Sequence, residues 1–124
     1  MSPQTLAVLY AAAACLPTAM HVAVAAGAPL GRFTVGGLFP GALPARWRAL
    51  AIVQAALLLA MALAVLDRAG VVDAALPGFA FWLALGLTGL TTAANAASPS
   101  RPERLLWTPV LAAMSAAALG VALL

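Results

Sequence analysis

The sequence predicts an all-α fold, a bundle of four transmembrane helices in a single domain over residues 1–124. Hydrophobic residues make up 65% of the chain and charged residues only 7%, whereas a soluble domain carries about 25% charged residues. Because this small number of charged residues cannot cover a water-exposed surface, we expect lipid to solvate the bundle. A helix crosses the hydrocarbon core with about 20 apolar residues. Four windows are long enough: 5–27, 49–66, 74–94 and 105–124.

The apolar windows are continuous and rich in Ala and Leu, which favours helices over the alternating strands of a membrane barrel. The first window has no positive residue before it and is longer than the apolar region of a signal peptide, so we expect it to be the first span. Pro17 lies inside this window and predicts a kink or a loosened turn near residues 13–17.

Capping signals mark the starts of the other helices. Pro44 suits the first turn of the second helix, and Asp73 is a reasonable N-cap for the third. The segment Ser100 to Glu103 reads Ser-Arg-Pro-Glu, which is a capping box for the fourth helix.

The arginines are distributed unevenly between the two sides of the predicted membrane domain. The second connector holds only Arg68, whereas the first and third connectors hold five arginines. Because positive residues favour cytoplasmic connectors, we expect both termini to lie outside. We call the side of the first and third connectors the Arg-rich end, defined by Arg32, Arg46, Arg48, Arg101 and Arg104.

Small residues recur at every fourth position of each helix, a pattern typical of close helix packing in membranes. Alanine is common enough in this chain that only the five-residue stripe of the first helix stands out. These faces predict contacts within the bundle or between two copies in a homodimer. The stripes are Ala11, Cys15, Ala19, Ala23 and Gly27; Ala56, Ala60 and Ala64; Ala80, Ala84, Thr88 and Thr92; and Ala112, Ala116 and Gly120.

Polar residues cluster at one depth, roughly 9 Å inside the Arg-rich end at about 1.5 Å per residue. His21, Gln54 and Thr88 form this layer. Because an ionisable group in a span is costly and faces the interior or water, one interpretation makes His21 a ligand-binding or proton-accepting group in a pocket. The alternative is a neutral His21 hydrogen-bonded to a neighbour such as Gln54.

A second group of candidate residues lies in the connectors at the Arg-rich end. Arg32, in an apolar Gly/Pro-rich connector, could bind a phosphate or carboxylate, with Arg46, Arg48, Arg101 and Arg104 on the same face. The alternative is that these arginines contact lipid headgroups. That connector is expected to lie against the membrane or dip into the bundle. Asn95 and Glu103 belong to the same polar cluster, and Glu103 is a candidate partner for Arg32 or Arg46. Two further residues, Trp47 and Trp107, are expected to anchor the interface.

Other chemistry finds little support in the sequence. We expect no catalytic residue, no metal site and no cofactor, because no nucleophile motif and no ligand cluster occurs. Cys15 lies among apolar residues and is expected to behave as a small apolar side chain. No basic run resembles a nucleic-acid footprint.

One set of residues lies mostly in and around the connectors at the Arg-rich end: His21, the segment 27–32, Gly36, Gly37, the segment 43–46, Asn95, Ser98, Ser100, Glu103, Arg104, Trp107 and Pro109. This set resembles a pattern of small uncharacterised four-helix membrane proteins of high-GC bacteria. The resemblance implies a multi-pass protein of the bacterial inner membrane and no particular activity.

Three functions are compatible with these observations. The leading expectation is a non-enzymatic accessory protein whose connectors at the Arg-rich end bind a partner, either another membrane protein or a second copy. The second is a carrier or channel for a small solute or protons using His21, Gln54 and Thr88. The third is a binder of anionic headgroups or phosphate using the arginines.

Overall fold

A computed structural model describes all 124 residues and contains four long helices and no strand. All four are long and apolar enough to cross a membrane, which confirms the predicted all-α bundle of four membrane-spanning helices. Two short 3-10 turns interrupt the first connector, at Gly31–Phe33 and Val35–Gly37. The helices are α1 (Pro3–Ala25), α2 (Ala45–Arg68), α3 (Phe79–Ala96) and α4 (Arg101–Leu123).

The capping predictions for α2 and α4 are confirmed. The backbone of α2 becomes helical directly after Pro44. At the start of α4 the Ser100 hydroxyl accepts a hydrogen bond from the backbone N–H of Glu103 at 3.4 Å, which is half of a capping box. The helix therefore begins where its free N–H groups find a side-chain acceptor.

The predicted start of α3 is wrong by about one turn and a half. The Asp67 carboxylate accepts a hydrogen bond from the backbone N–H of Ala74 at 2.8 Å, so this stretch is tied back to the end of α2. Leu76 precedes Pro77, and a residue before proline is disfavoured in helical conformation. The helix consequently starts at Phe79, and Asp73 does not cap it.

The helices pack unevenly around the core. Helix α1 packs closely against α2 and α4, and α3 packs against α4, whereas α2 packs less closely against α3 and barely contacts α4. The core is densest toward the end that holds the second connector and both termini, which we call the Arg68 end. Tyr10, Val65 and Met114 are fully buried there. At the Arg-rich end α2 and α3 leave space between them.

The small-residue stripes identify the buried face on α3 only. On α1 the buried residues include Tyr10, Ala14 and Pro17, whereas Cys15 and Ala19 are exposed. The predicted α1 stripe is therefore not the packing face of the bundle. The reason is compositional: alanine occurs on every face of α1, so the burial of Tyr10 and Pro17 decides its orientation. A homodimer through the exposed stripe stays a prediction.

Candidate binding cavity at the Arg-rich end

The space between α2 and α3 forms a cavity of about 360 Å³, which is within the size range of small-molecule sites. Five of the seven predicted site residues line it, and Arg32 and Arg104 do not. The predicted polar layer is thus brought together in one place. The polar and aromatic lining residues are His21, Phe33, Thr34, Trp47, Gln54, Thr88, Thr91, Asn95, Glu103 and Trp107; the apolar ones include Pro17, Met20, Leu50, Leu57, Leu58, Met61, Ala94 and Leu111.

The first connector forms the roof of the cavity, with Phe33, Thr34 and Val35 in its lining. Its two ends are joined by a hydrogen bond from the N–H of Gly31 to the carbonyl of Gly41 at 2.9 Å. The indole N–H of Trp107 donates to the carbonyl of Phe33 at 2.8 Å. The Ser100 hydroxyl donates to the carbonyl of Arg32. These bonds give the irregular backbone the protein partners it needs at membrane depth.

One roof residue has a strained backbone. Val35 lines the cavity and has a φ of 51°, a conformation that is unusual for a β-branched residue. Such strain costs about 1–3 kcal/mol and is typical of binding and active sites. The surrounding hydrogen bonds hold Val35 in place over the cavity.

Two buried polar atoms of cavity-lining residues have no hydrogen-bond partner in the protein. They are the Nδ1 of His21 and the indole Nε1 of Trp47. The interpretation that Gln54 satisfies His21 is therefore wrong for this nitrogen. A buried polar atom without a partner costs about 1–3 kcal/mol. A bound molecule or a water that reaches these atoms recovers that energy.

Thr88 has a structural partner that sequence reasoning missed. The Thr88 hydroxyl donates to the carbonyl of Ala84 at 2.6 Å, and the Tyr10 hydroxyl lies 2.7 Å from the same oxygen. Because the single proton of Thr88 is already used, Tyr10 is the donor of the second bond. Both residues are fully buried. A tyrosine in the middle of a span signals such a partner, since its hydroxyl needs one when buried.

Two further predicted site residues lie at the Arg-rich edge of the cavity. The Asn95 amide donates to the carbonyl of Thr91 at 2.9 Å. The Glu103 carboxylate accepts a hydrogen bond from the Ser98 hydroxyl at 2.8 Å. This bond replaces the predicted pair with Arg32 or Arg46, because the turn between α3 and α4 places Ser98 directly beside Glu103.

The arginines have partners elsewhere. The Arg104 guanidinium donates to the carbonyl of Ser98 at 2.8 Å, and Arg48 donates to the carbonyl of Ala25 at 3.1 Å. The Ala25 carbonyl lies at the end of α1, where a cation is favourable, and the Ser98 carbonyl lies in the turn between α3 and α4. Arg32 lies over the ring of Phe33, 4.8 Å from its centroid. An anion site built from the arginines stays a prediction.

Trp107 is not the lipid-facing anchor that its position suggests. It is buried on α4 and lines the cavity. Trp47 is half-buried, with its ring 5.8 Å from that of Phe39. The connector folds over both rings, which explains why an interfacial position along the helix does not expose them.

No family model matches the chain, and neither a curated protein nor a solved structure matches it. The resemblance to small bacterial membrane proteins therefore stays a prediction, and function has to be argued from the cavity.

Proposed function

We propose that this chain is a non-enzymatic membrane protein that binds a small amphipathic molecule in the cavity between α2 and α3. The observation that carries the proposal is the pair of unpartnered buried atoms, His21 Nδ1 and Trp47 Nε1, in an otherwise largely apolar lining. Apolar walls with a few polar groups are typical of ligand sites. The proposal assigns the predicted polar layer to binding.

The cavity lies where a molecule can enter sideways from the bilayer. Leu50 and Leu57 of α2 and Thr91 and Ala94 of α3 line it and are exposed. The roof formed by the first connector covers the cavity at the Arg-rich end. An amphipathic molecule dissolved in the membrane therefore has a more direct route into the cavity than a molecule in the water at the Arg-rich end.

The Arg68 half of the bundle favours binding over transport. Tyr10, Val65 and Met114 are fully buried in its core, and the smaller pocket of about 230 Å³ beside Asp67, Arg68 and Phe81 shares no lining residue with the cavity. A carrier or channel needs a route through this half. Phe33 and Val35 of the first connector line the cavity, so we assign this connector to the binding site. That the outer surface of the connectors binds a protein partner stays a prediction.

The test of this proposal uses tritium-labelled phenylbutanol, an uncharged amphipathic probe. Protein in phosphatidylcholine nanodiscs is dialysed against the probe, and empty nanodiscs give the lipid background. We expect saturable binding, and we expect Ala94→Trp to abolish it because the indole fills the cavity mouth. Ala93→Trp is the matched control, since Ala93 is exposed on the same helix and does not line the cavity.

Saturable binding that is lost in Ala94→Trp and kept in Ala93→Trp supports the proposal. Equal binding by both variants, or no saturable binding by the wild-type protein, contradicts it. Circular dichroism of each variant separates a blocked cavity from a misfolded bundle.

The proposed location is the bacterial inner membrane with the Arg-rich end in the cytoplasm, supported by five arginines on that side against one on the other. In a Cys15→Ser background, we expect Ser2→Cys to react with a membrane-impermeant maleimide in intact spheroplasts. Leu38→Cys, in an exposed part of the first connector, should react only after lysis. The reverse labelling pattern contradicts the orientation.

A further inference from the structure

The charge around the cavity is one-sided. Glu103 is the only acidic residue that lines the cavity, and no arginine lines it. The Nδ1 of His21 has no hydrogen-bond partner in the protein. Glu103 is therefore the only carboxylate in the lining, and no arginine in the lining offsets its charge.

The Glu103 carboxylate retains room for a ligand. Its Oε2 accepts the hydrogen bond from Ser98, and its Oε1 has no partner in the protein. A carboxylate can accept about four hydrogen bonds. Its neighbour in sequence, Arg104, donates to the Ser98 carbonyl instead, and no arginine forms an ion pair with Glu103.

Trp107 lies next to this carboxylate. Glu103 and Trp107 are four residues apart on α4, so their side chains share one face of the helix, and both line the cavity. The indole N–H of Trp107 is already donated to Phe33, so Trp107 offers the ligand its ring. A tryptophan ring attracts cations within about 6 Å of its centroid.

We propose that the ligand of the cavity is a hydrophobic cation, such as a protonated amine on an apolar body. This inference rests on the proposed function and names the chemical class of its ligand. The ammonium lies between the Glu103 carboxylate and the Trp107 ring at the Arg-rich edge. The apolar body extends along Leu57, Met61 and Leu111.

The charges of the lining itself disfavour an anionic ligand. An anionic ligand of the same shape would face the Glu103 charge without a compensating cation in the lining. Like charges in a low-dielectric site repel strongly.

The experiment compares three tritium-labelled probes with one apolar body: phenylbutylamine, phenylbutanol and phenylbutyrate. Equilibrium dialysis uses phosphatidylcholine nanodiscs, which carry no net charge. We expect the wild-type protein to bind the amine about tenfold more tightly than the alcohol, which corresponds to about 1.4 kcal/mol. We expect the carboxylate probe to bind most weakly.

Glu103→Gln tests whether the Glu103 carboxylate causes the preference for the amine. Glutamine also serves in a capping box and accepts the Ser98 hydrogen bond, so the fold is retained. We expect the amine affinity to fall about tenfold relative to that of the alcohol, so that the preference for the amine is lost. Asp73→Asn is the matched control, because this exposed carboxylate lies at the Arg68 end; it should keep the wild-type preference.

The outcomes separate the two proposals. Equal binding of amine and alcohol by the wild-type protein, or an amine preference that survives Glu103→Gln, overturns the cation inference and leaves the proposed function standing. Failure of both the amine and the alcohol to bind overturns the proposed function and the inference together. If Asp73→Asn also loses the preference for the amine, the assignment of that preference to Glu103 is overturned.

Discussion

Gly31→Ala is expected to destabilise the protein and open the roof of the cavity. A Cβ atom at this position would overlap the carbonyl oxygen of Phe39 and lie 2.5 Å from that of Gly41. Both obstacles are backbone atoms, so the connector has to move as a whole. We expect the free energy of unfolding to fall by about 2 kcal/mol or more, as in severe overpacking, measured by titration with sodium dodecyl sulfate in a mild detergent.

Gly41→Ala is the matched control for this prediction. Gly41 lies at the other end of the hydrogen bond to Gly31, and an added Cβ there meets nothing within 4 Å. Hydrogen exchange read by mass spectrometry should show faster exchange over residues 31–41 in Gly31→Ala alone. Equal stability and equal protection in the two variants would show that the connector does not pack as described.

Thr88→Val is expected to lower the free energy of unfolding more than Tyr10→Phe does, although both substitutions remove the hydrogen bond between these two residues. Without Thr88, the buried Tyr10 hydroxyl has no acceptor, which costs about 1–2 kcal/mol of unfolding free energy. Without the Tyr10 hydroxyl, Thr88 still donates to Ala84. Detergent unfolding curves of the two single variants measure the difference.

The double variant and one control complete this test. Tyr10→Phe with Thr88→Val should be about as stable as Tyr10→Phe alone, because no unpaired group remains. Thr91→Val is the control: Thr91 makes the same kind of bond to a backbone carbonyl, at Leu87, but is exposed. A double variant less stable than Thr88→Val would contradict the assigned donor.

Much of the fold could be predicted because a segment that crosses the membrane must be apolar along its whole length. Length and hydropathy identified all four spans, Pro44 identified the start of α2, and the Ser100 cap identified the start of α4. The start of α3 could not be predicted from Asp73, because the competing acceptor, Asp67, belongs to the preceding helix. A capping signal indicates a possible partner, and only the fold shows which partner is used.

The candidate site could be predicted in part. Depth along the helices placed His21, Gln54 and Thr88 in one layer, and the structure brings them to one cavity. Depth says nothing about direction around the helix, so Trp107 was expected at the lipid interface and is instead buried. The role of Tyr10 depends on its contact with α3, 78 residues away in sequence.

The sequence by itself determined that this protein is a helical membrane bundle with its arginines at one end, because lipid solvation and span length depend only on the order of apolar and charged residues. Tertiary structure alone decided which faces meet, since an alanine-rich helix has small residues on every side. It also decided that α2 and α3 part at the Arg-rich end and that Glu103 accepts a hydrogen bond from Ser98 instead of pairing with an arginine. Those choices depend on contacts between distant segments, which no local pattern encodes.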